Sequence, residues 1–532
     1  MLSDVKRSHG CLENYKRCSF RVCGGKVVWQ SRFVGMERVR EIVRAAGRFS
    51  AGTLLSRCSG LLRDVGMAYA FGGGAEIAGF MVAFRFANLF RRLLGEGVLQ
   101  TGFIPVYEQL KVDGARKGAL LYRDAVWSVG VVALAMVIGA VFVLQMVGQF
   151  LNPSWKEIAD LTAVMLPSLF WISLFGLDAA VLQAEKKTFW AGVAPALFNF
   201  GMLGFAFVAM GSSNSMRMLS IGVVCSFALQ WMLASWQARE SWREALNIRE
   251  WLSPQLFSVD VRRMLGAVGL GVVGIGATQL NSALDAIFAR ISDPSGPAYL
   301  WYAIRLYQLP LALVGIALSS ALLPSLVRRN LEGEVEAKDL LQGVVEKGME
   351  LILICAFALI AFAQSGVNLL FGHGHFGPHE VEQTVFCLWA YGIGFVPSAL
   401  VLLFAQSYYA KRTFAAPVKA SLISVAFHVC LNILLVFGFH LGAVSVALST
   451  SSGALLNCYL LSDRGWKFPT KAFWIGAVAT GLCLVSDRFF GAPRDWLHQC
   501  AHLATNSLLF GVPAGACLIY FLPKRQETGK RK

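Results

Sequence analysis

The chain has 532 residues, of which 56% are hydrophobic and only 15% charged, with a mean hydropathy of +0.56 and a formal net charge of +16. No soluble domain of that size needs so much apolar surface, and the sequence lacks the two-residue alternation of a barrel, so a polytopic helical membrane protein is expected. Basic loops and ends, including Lys524, Arg525, Lys530, Arg531 and Lys532, account for the positive charge without nucleic acid as a partner.

In chain order, residues 1–35 are polar and read as a disordered extension. They have no apolar core of the kind a signal peptide requires, and Cys11, Cys18 and Cys23 fit no zinc spacing. A short basic amphipathic stretch, Glu37 to Arg48, leads into the first apolar run. Fourteen spans follow, at roughly 43–70, 76–110, 121–150, 158–182, 189–210, 218–237, 262–289, 299–326, 344–371, 381–410, 415–439, 441–461, 472–490 and 501–522. Basic residues alternate between the connecting loops: the loops opening near Lys111, Lys186, Arg239, Arg328, Lys411 and Arg464 hold 21 Lys and Arg, and the intervening ones hold 5. The positive-inside rule then puts both termini in the cytoplasm.

An internal repeat is legible. Lys187-Thr188-Phe189-Trp190-Ala191-Gly192-Val193 follows span 4, and Arg412-Thr413-Phe414-Ala415-Ala416-Pro417-Val418 follows span 10, an offset of 225 residues and six spans. An even number of spans preserves orientation, which predicts a parallel duplication. The expected division is 1–35 as the extension, 36–240 as an N-terminal lobe of spans 1–6, 241–465 as a C-terminal lobe of spans 7–12, and 466–532 as spans 13–14 with a basic tail.

Charged side chains inside spans are the functional candidates, because a charge at a span centre costs at least about 2.5–3.5 kcal/mol. Span 1 carries Arg57, Arg63 and Asp64; Arg57 and Asp64 share a face, whereas Arg63 lies about 240° around from Arg57 on an ideal helix. A bend at Gly60 lets both arginines reach one cavity. Span 2 carries Asn88, Arg91 and Gly95 on one stripe and Arg85, Asn88, Arg92 and Glu96 on another, and geometry alone does not say which arginine faces the cavity. Span 8 carries Arg305. Guanidinium groups keep their charge and match phosphate oxygens two at a time, so a phosphate or diphosphate head is their natural partner, and a lipid tail explains a site inside the membrane.

Plainer readings stand beside these. Arg85 and Arg92 reach headgroups from span ends, Arg63 and Asp64 form a structural pair, Asp178 and Asp285 pack helices or ligate an ion, and Gly72-Gly73-Gly74 is a turn. His373, His375 and His379 sit in an external loop and are not expected to bind metal. No nucleophile, base and orienting group converge, and no Walker-type loop is present, so an enzyme is not expected.

The stretch Ser56-Arg57, Gly60-Leu61-Leu62-Arg63-Asp64, Phe71-Gly72, Val82-Ala83-Phe84-Arg85, Asn88-Leu89-Phe90-Arg91-Arg92, Glu96-Gly97 and Phe103-Ile104-Pro105 resembles the MurJ/MviN lipid II flippases. Trp301-Tyr302-Ala303-Ile304-Arg305-Leu306, Leu322-Leu323-Pro324-Ser325-Leu326, Tyr409-Ala410-Lys411-Arg412 and Leu431-Asn432 extend the resemblance over roughly residues 45–465. It implies the multidrug/oligosaccharidyl-lipid/polysaccharide exporter fold in the bacterial inner membrane, with lipid II as substrate, alternating access as mechanism, and contacts with membrane lipids and cell-wall synthesis proteins. The family's essential cavity arginines fall on Arg57, Arg63, Arg91 and Arg305, and Asp64 and Glu96 match family positions; Arg91 is thereby favoured over Arg92. Ala78 and Ile304 stand where the family often has acids, so the charge balance of the cavity differs here. Some members hold sodium with an Asp on span 7 and Asn or Asp on span 11. Asp285 and Asn432 match that pattern, but His428 stands where an amide is usual, which puts a sodium site in doubt. Spans 13 and 14 form a lateral groove for the polyprenyl chain in that family. The same chemistry serves another polyprenyl-diphosphate-linked oligosaccharide. A cation-coupled multidrug antiporter of this fold is the alternative of a different class, and it should place acids at the cavity centre.

Overall fold

The computed structural model describes residues 55–94, 98–462, 469–490 and 495–521, and they are helical with no strand among them. The extension 1–35, the amphipathic stretch Glu37 to Arg48 and the basic tail lie outside the described residues. In chain order the helices are α1 (55–71), α2 (Ala75–Leu94), α3 (Val98–Val112), α4 (Ala115–Gly148), α5 (Pro153–Met165), α6 (Ser168–Ala184), α7 (Thr188–Ala209), α8 (Ser215–Ala238), the short α9 (Glu240–Arg243) and α10 (Ile248–Trp251), then α11 (Val259–Ser292) and α12 (Gly296–Pro310). A π-helical segment, Leu311–Ile316, joins α12 to α13 (Ala317–Glu332). The chain continues with α14 (Glu334–Ala361), α15 (Ala363–Phe371), α16 (Pro378–Ile393), α17 (Phe395–Ala410), α18 (Ala415–Ile433), α19 (Val444–Leu461), α20 (Thr470–Phe490) and α21 (Trp496–Phe521).

Among the described residues, seven helices are long and apolar enough to cross a membrane, and ten spans result if each bent pair counts as one. The protein is therefore a polytopic helical membrane protein, while the number fourteen rests on the sequence. Helix starts follow local chemistry. Asn152 accepts a hydrogen bond from the Trp155 amide at 3.1 Å with Pro153 in the first turn, and Glu380 accepts one from the Gly377 amide at 2.9 Å with Pro378 in the first turn.

Two bends recur at corresponding places. α5 and α6 meet at 42° beside Pro167, and α16 and α17 meet at 40° at Gly394. The turns after α6 and α17 are also alike. Lys186 has φ 60° and Arg412 φ 57°, and each is followed by an amide that reaches back five residues, Lys187 to Leu182 and Thr413 to Tyr408. Matched by backbone geometry, the two turns are 226 residues apart, one more than the sequence alignment of the same segments gives.

α2 packs against α5, α6, α8, α11 and α12, and α7 and α8 complete that side. On the other side α12 packs on α16, and α19 on α16, α17 and α18. α11 touches both groups, and the α20–α21 pair seats on α14 and α15. The segment with α9 and α10 docks on the start of α4: Trp242 stacks on Trp251 at 4.1 Å, the Gln255 amide donates to Asp124, and Arg116 pairs with Glu250.

Candidate functional site

Two glycine turns bring α1 against the loop before α16. Gly72 ends α1 at φ 70°, where an added Cβ would lie 2.4 Å from the His375 carbonyl oxygen; Gly374, at φ 61°, faces the Tyr69 carbonyl at 2.3 Å in the same way. Only glycine permits that approach, which lets the His375 amide donate to the Tyr69 carbonyl at 3.1 Å. Tyr302 of α12 donates to the Gly72 carbonyl at 3.3 Å, and its ring packs on Phe371 and Phe376. The Gly72-Gly73-Gly74 run is thus a turn.

Two helical turns inward from that seal, α1 and α12 share one carboxylate. Asp64 is almost wholly buried, and its Oδ1 accepts from Arg63 Nε at 3.0 Å and Nη2 at 2.7 Å. Arg305 Nε lies 2.7 Å from Asp64 Oδ2 as an ion pair, although that contact is angled outside hydrogen-bond geometry. The indole of Trp301 adds a long hydrogen bond to Asp64 at 3.4 Å, and the Arg305 guanidinium lies 4.6 Å over the Trp301 ring. The remaining face of Arg63 is held from α7, where Asn199 accepts from Nη1 at 3.0 Å and donates to Ser59 Oγ and the Ser56 carbonyl at 3.0 Å each. Phe198 supplies a ring 5.8 Å from the guanidinium.

Two guanidiniums and one carboxylate leave this triad at +1. The cavity beside it, lined by Arg63, Met67, Phe80, Met81, Phe84, Met202 and Trp301, measures only about 10 Å³, room for one water and not for a diphosphate. In this conformation the arginines are neutralised in part by Asp64, as in the structural-pair reading, while the Arg305 side chain keeps 32% of its surface exposed.

Of the sequence-predicted residues, Arg63, Asp64 and Arg305 come together. Arg57 lies on the same helix and is exposed. Arg91 and Arg92 fall in α2, but their side chains, together with Glu96, lie outside the described residues. Sequence reasoning assigned no role to Asn199 or Trp301. Asn199 was detectable as the one amide in the otherwise apolar run of α7; the placing of Trp301 over Arg305 follows from its position one helical turn earlier, on the same face.

Asp285 belongs to a second polar group, between α11, α18 and α19. His428 places Nδ1 3.0 Å from Asn281 Oδ1 and Nε2 3.3 Å from Asp285 Oδ1, and Asn432 Nδ2 and Thr450 Oγ1 approach Nε2 at 3.0 and 3.4 Å. Arg85 crosses from α2 to donate to the Ser282 carbonyl at 3.3 Å, and so turns inward rather than reaching for headgroups.

The architecture has solved counterparts. A structure titled "Lipid II flippase MurJ, inward closed conformation" is 20% identical with a TM-score of 0.71, covering 89% of this chain and 99% of that one. One titled "Inward-facing conformation of a multidrug resistance MATE family transporter of the MOP superfamily" is 15% identical with a TM-score of 0.58, covering 83% and 99%. The fold is the one these two structures share. Within it, residues 67–498 match the family described as "Lipid II flippase MurJ", and the "Probable lipid II flippase MurJ" of Chlamydia pneumoniae is 28% identical over 435 residues, 81% of this chain and 77% of that protein. The chain belongs to the MurJ family.

Proposed function

We propose that the protein flips lipid II, the lipid-linked disaccharide-peptide precursor of peptidoglycan, from the cytoplasmic to the outer leaflet of the bacterial inner membrane. Arg57, Arg63, Arg91 and Arg305 hold its diphosphate, and Asp64 and Glu96 adjust the charge. The observation that carries this reading is the Arg63–Asp64–Arg305 triad, which joins α1 to α12 through groups that a diphosphate can claim. A cation is disfavoured at a centre with net positive charge, which argues against the multidrug alternative.

Transport proceeds by alternating access, residues 36–240 and 241–465 rocking as two lobes about this centre. The paired 42° and 40° bends and the matching turns at Lys186 and Arg412 support a parallel repeat of that kind. With both termini cytoplasmic, the Gly72 and Gly374 seal closes the outer side, and the head enters from the cytoplasm. An inside-negative potential then favours outward movement of the anionic head by about 2.3 kcal/mol per charge per 100 mV. The proposed cycle requires no sodium step, and a sodium site at Asp285 and Asn432 stays in doubt. The ring of His428 already engages the Asn281 oxygen and faces the Asp285 carboxylate, oxygens that a hard cation requires.

Complementation of a flippase-depleted bacterium tests the proposal. Wild type restores growth, and Ala at Arg57, Arg63, Arg91 or Arg305 does not at equal membrane abundance. Undiminished growth of all four variants overturns the binding role.

A further inference from the structure

The segment that joins α8 to α11 is pinned along the start of α4 through its own backbone. The Glu250 carbonyl accepts from Arg123 at 3.0 Å and the Trp251 carbonyl from the Trp127 indole at 3.1 Å, while the Gln255 and Phe257 amides donate to Asp124 at 3.0 Å and to Ser128 at 2.9 Å. Trp251 packs inward, stacked on Trp242 and 5.5 Å from the Tyr122 ring. What this docking leaves outside is apolar: Ile248, Leu252, Leu256 and Val259 are 67%, 62%, 47% and 82% exposed. A segment held this firmly that still presents four large apolar side chains has a medium other than water for them to enter.

α4 gives the depth at which they lie. No charged residue occurs between Asp124 and Lys156, and residues 125–148 make about 36 Å of helix at about 1.5 Å per residue, enough to cross a hydrocarbon core about 30 Å thick. Asp124 and Ser128 therefore stand at one edge of that core, and a segment bonded to both lies at the same level, among the headgroups. Trp127 of α4 and Trp236 near the end of α8 are exposed beside it, as aromatic residues are at a membrane boundary. The charges fit the same place. Of the segment's acids, Glu240 pairs with Lys187 and Glu250 with Arg116, which leaves Glu244 and Asp260 beside the exposed Arg243, Arg249, Arg262 and Arg263. Apolar side chains bordered by guanidiniums are the make-up of an interfacial segment, and a guanidinium takes a phosphate two oxygens at a time.

We propose that residues 239–263 form a lipid-binding anchor at the membrane surface, in which Ile248, Leu252, Leu256 and Val259 enter the acyl boundary and Arg243, Arg249, Arg262 and Arg263 bind the phosphates of acidic phospholipids. The anchor holds the connection between α8 and α11 against the bilayer beside α4, so the acidic lipid content of that leaflet sets how firmly it is seated. The inference is independent of which substrate is transported.

Two measurements on the full-length protein test it. With benzoylphenylalanine in place of Leu252, irradiation of bacterial membranes should yield an adduct of phospholipid mass, as the same group in place of Val131 on the exposed face of α4 should. A protein adduct at 252, or lipid adducts at 131 alone, overturns the proposal. In nanodiscs of mixed phosphatidylglycerol and phosphatidylcholine, native mass spectrometry reads which lipid the protein retains. Replacing both Arg249→Gln and Arg263→Gln should cut retention of phosphatidylglycerol relative to phosphatidylcholine by up to about fivefold per arginine. Arg217→Gln, at the other end of α8, should leave it unchanged. All three side chains are exposed, so their replacement spares the fold. Equal retention by wild type and the double variant, or an equal loss in Arg217→Gln, removes the phosphate-binding role.

Discussion

Replacing Asp64 by Asn tests what keeps α1 on α12. The carboxylate accepts two hydrogen bonds from Arg63 and pairs with Arg305 at 2.7 Å, and Asn keeps one acceptor but turns its amide donors toward a guanidinium. Removing one member of a buried charged group costs about 3–5 kcal/mol; the lower end applies because an acceptor remains and Arg305 is 32% exposed to screening. About 3 kcal/mol shifts the ratio of closed to open conformers by roughly a hundredfold. Spin labels at Ser213, exposed in the loop after α7, and at His379, exposed in the first turn of α16, read that shift as a longer interlabel distance in nanodiscs. The same variant should bind a diphosphate lipid analogue more tightly, since both guanidiniums are released, yet fail to support growth. An unchanged distance distribution together with unchanged affinity would refute the view that Asp64 competes with substrate.

Trp301→Phe keeps an aromatic face over Arg305 but loses the indole hydrogen bond, so it should open the seal less than Trp301→Ala does, as the same labels would report. Asn199→Ala leaves Arg63 Nη1 unpaired in a buried site and should lower thermal stability by about 1–3 kcal/mol, measured by unfolding in detergent. At the turn after α6, burial acts to raise the Glu185 carboxyl, but Lys111 at 2.6 Å and Tyr107 at 2.8 Å hold it below the usual carboxylate range. Its contribution is therefore complete above the ordinary carboxylate value and lost as pH falls through the lowered one; Glu185→Gln should flatten that acid limb of a melting-temperature profile. Lys186→Gly and Arg412→Gly each relieve a left-handed residue and should raise stability by similar amounts, about 1 kcal/mol, if the two turns are equivalent.

How much of this was legible in the sequence depends on the range of the interaction. Apolar runs and punctuating residues mark helices because each is satisfied within a few positions, so the Gly72 turn read directly, whereas the helix starts at Pro153 and Pro378 lie a few residues before the apolar runs expected at 158–182 and 381–410. The repeat was visible as a basic-Thr-Phe motif, but letters align side-chain types whereas the Lys186 and Arg412 turns align dihedral angles, hence the one-residue difference. Intramembrane arginines announced themselves by cost. The Arg63–Asp64 pair was legible as neighbours, but the partner of Arg305 was not, because which carboxylate meets it, 241 residues beyond Asp64, is decided by packing between helices remote in sequence. The inward turn of Arg85 has the same origin: the Ser282 carbonyl that receives it lies on another helix, and composition records no carbonyl direction.

The triad also bears on how an empty carrier differs from a loaded one. Two guanidiniums brought together without an anion would repel, so a closed empty state needs an internal counter-charge, and Asp64 supplies it from the residue next to Arg63. A diphosphate offers more negative charge and several acceptor oxygens, so it can take both guanidiniums at once. On the proposed function, taking them would free α12 from α1, because Asp64, the carboxylate common to Arg63 and Arg305 among the described residues, would no longer be needed between them. By the same proposal, occupancy and opening are one exchange of anions at the same two side chains, Arg63 and Arg305.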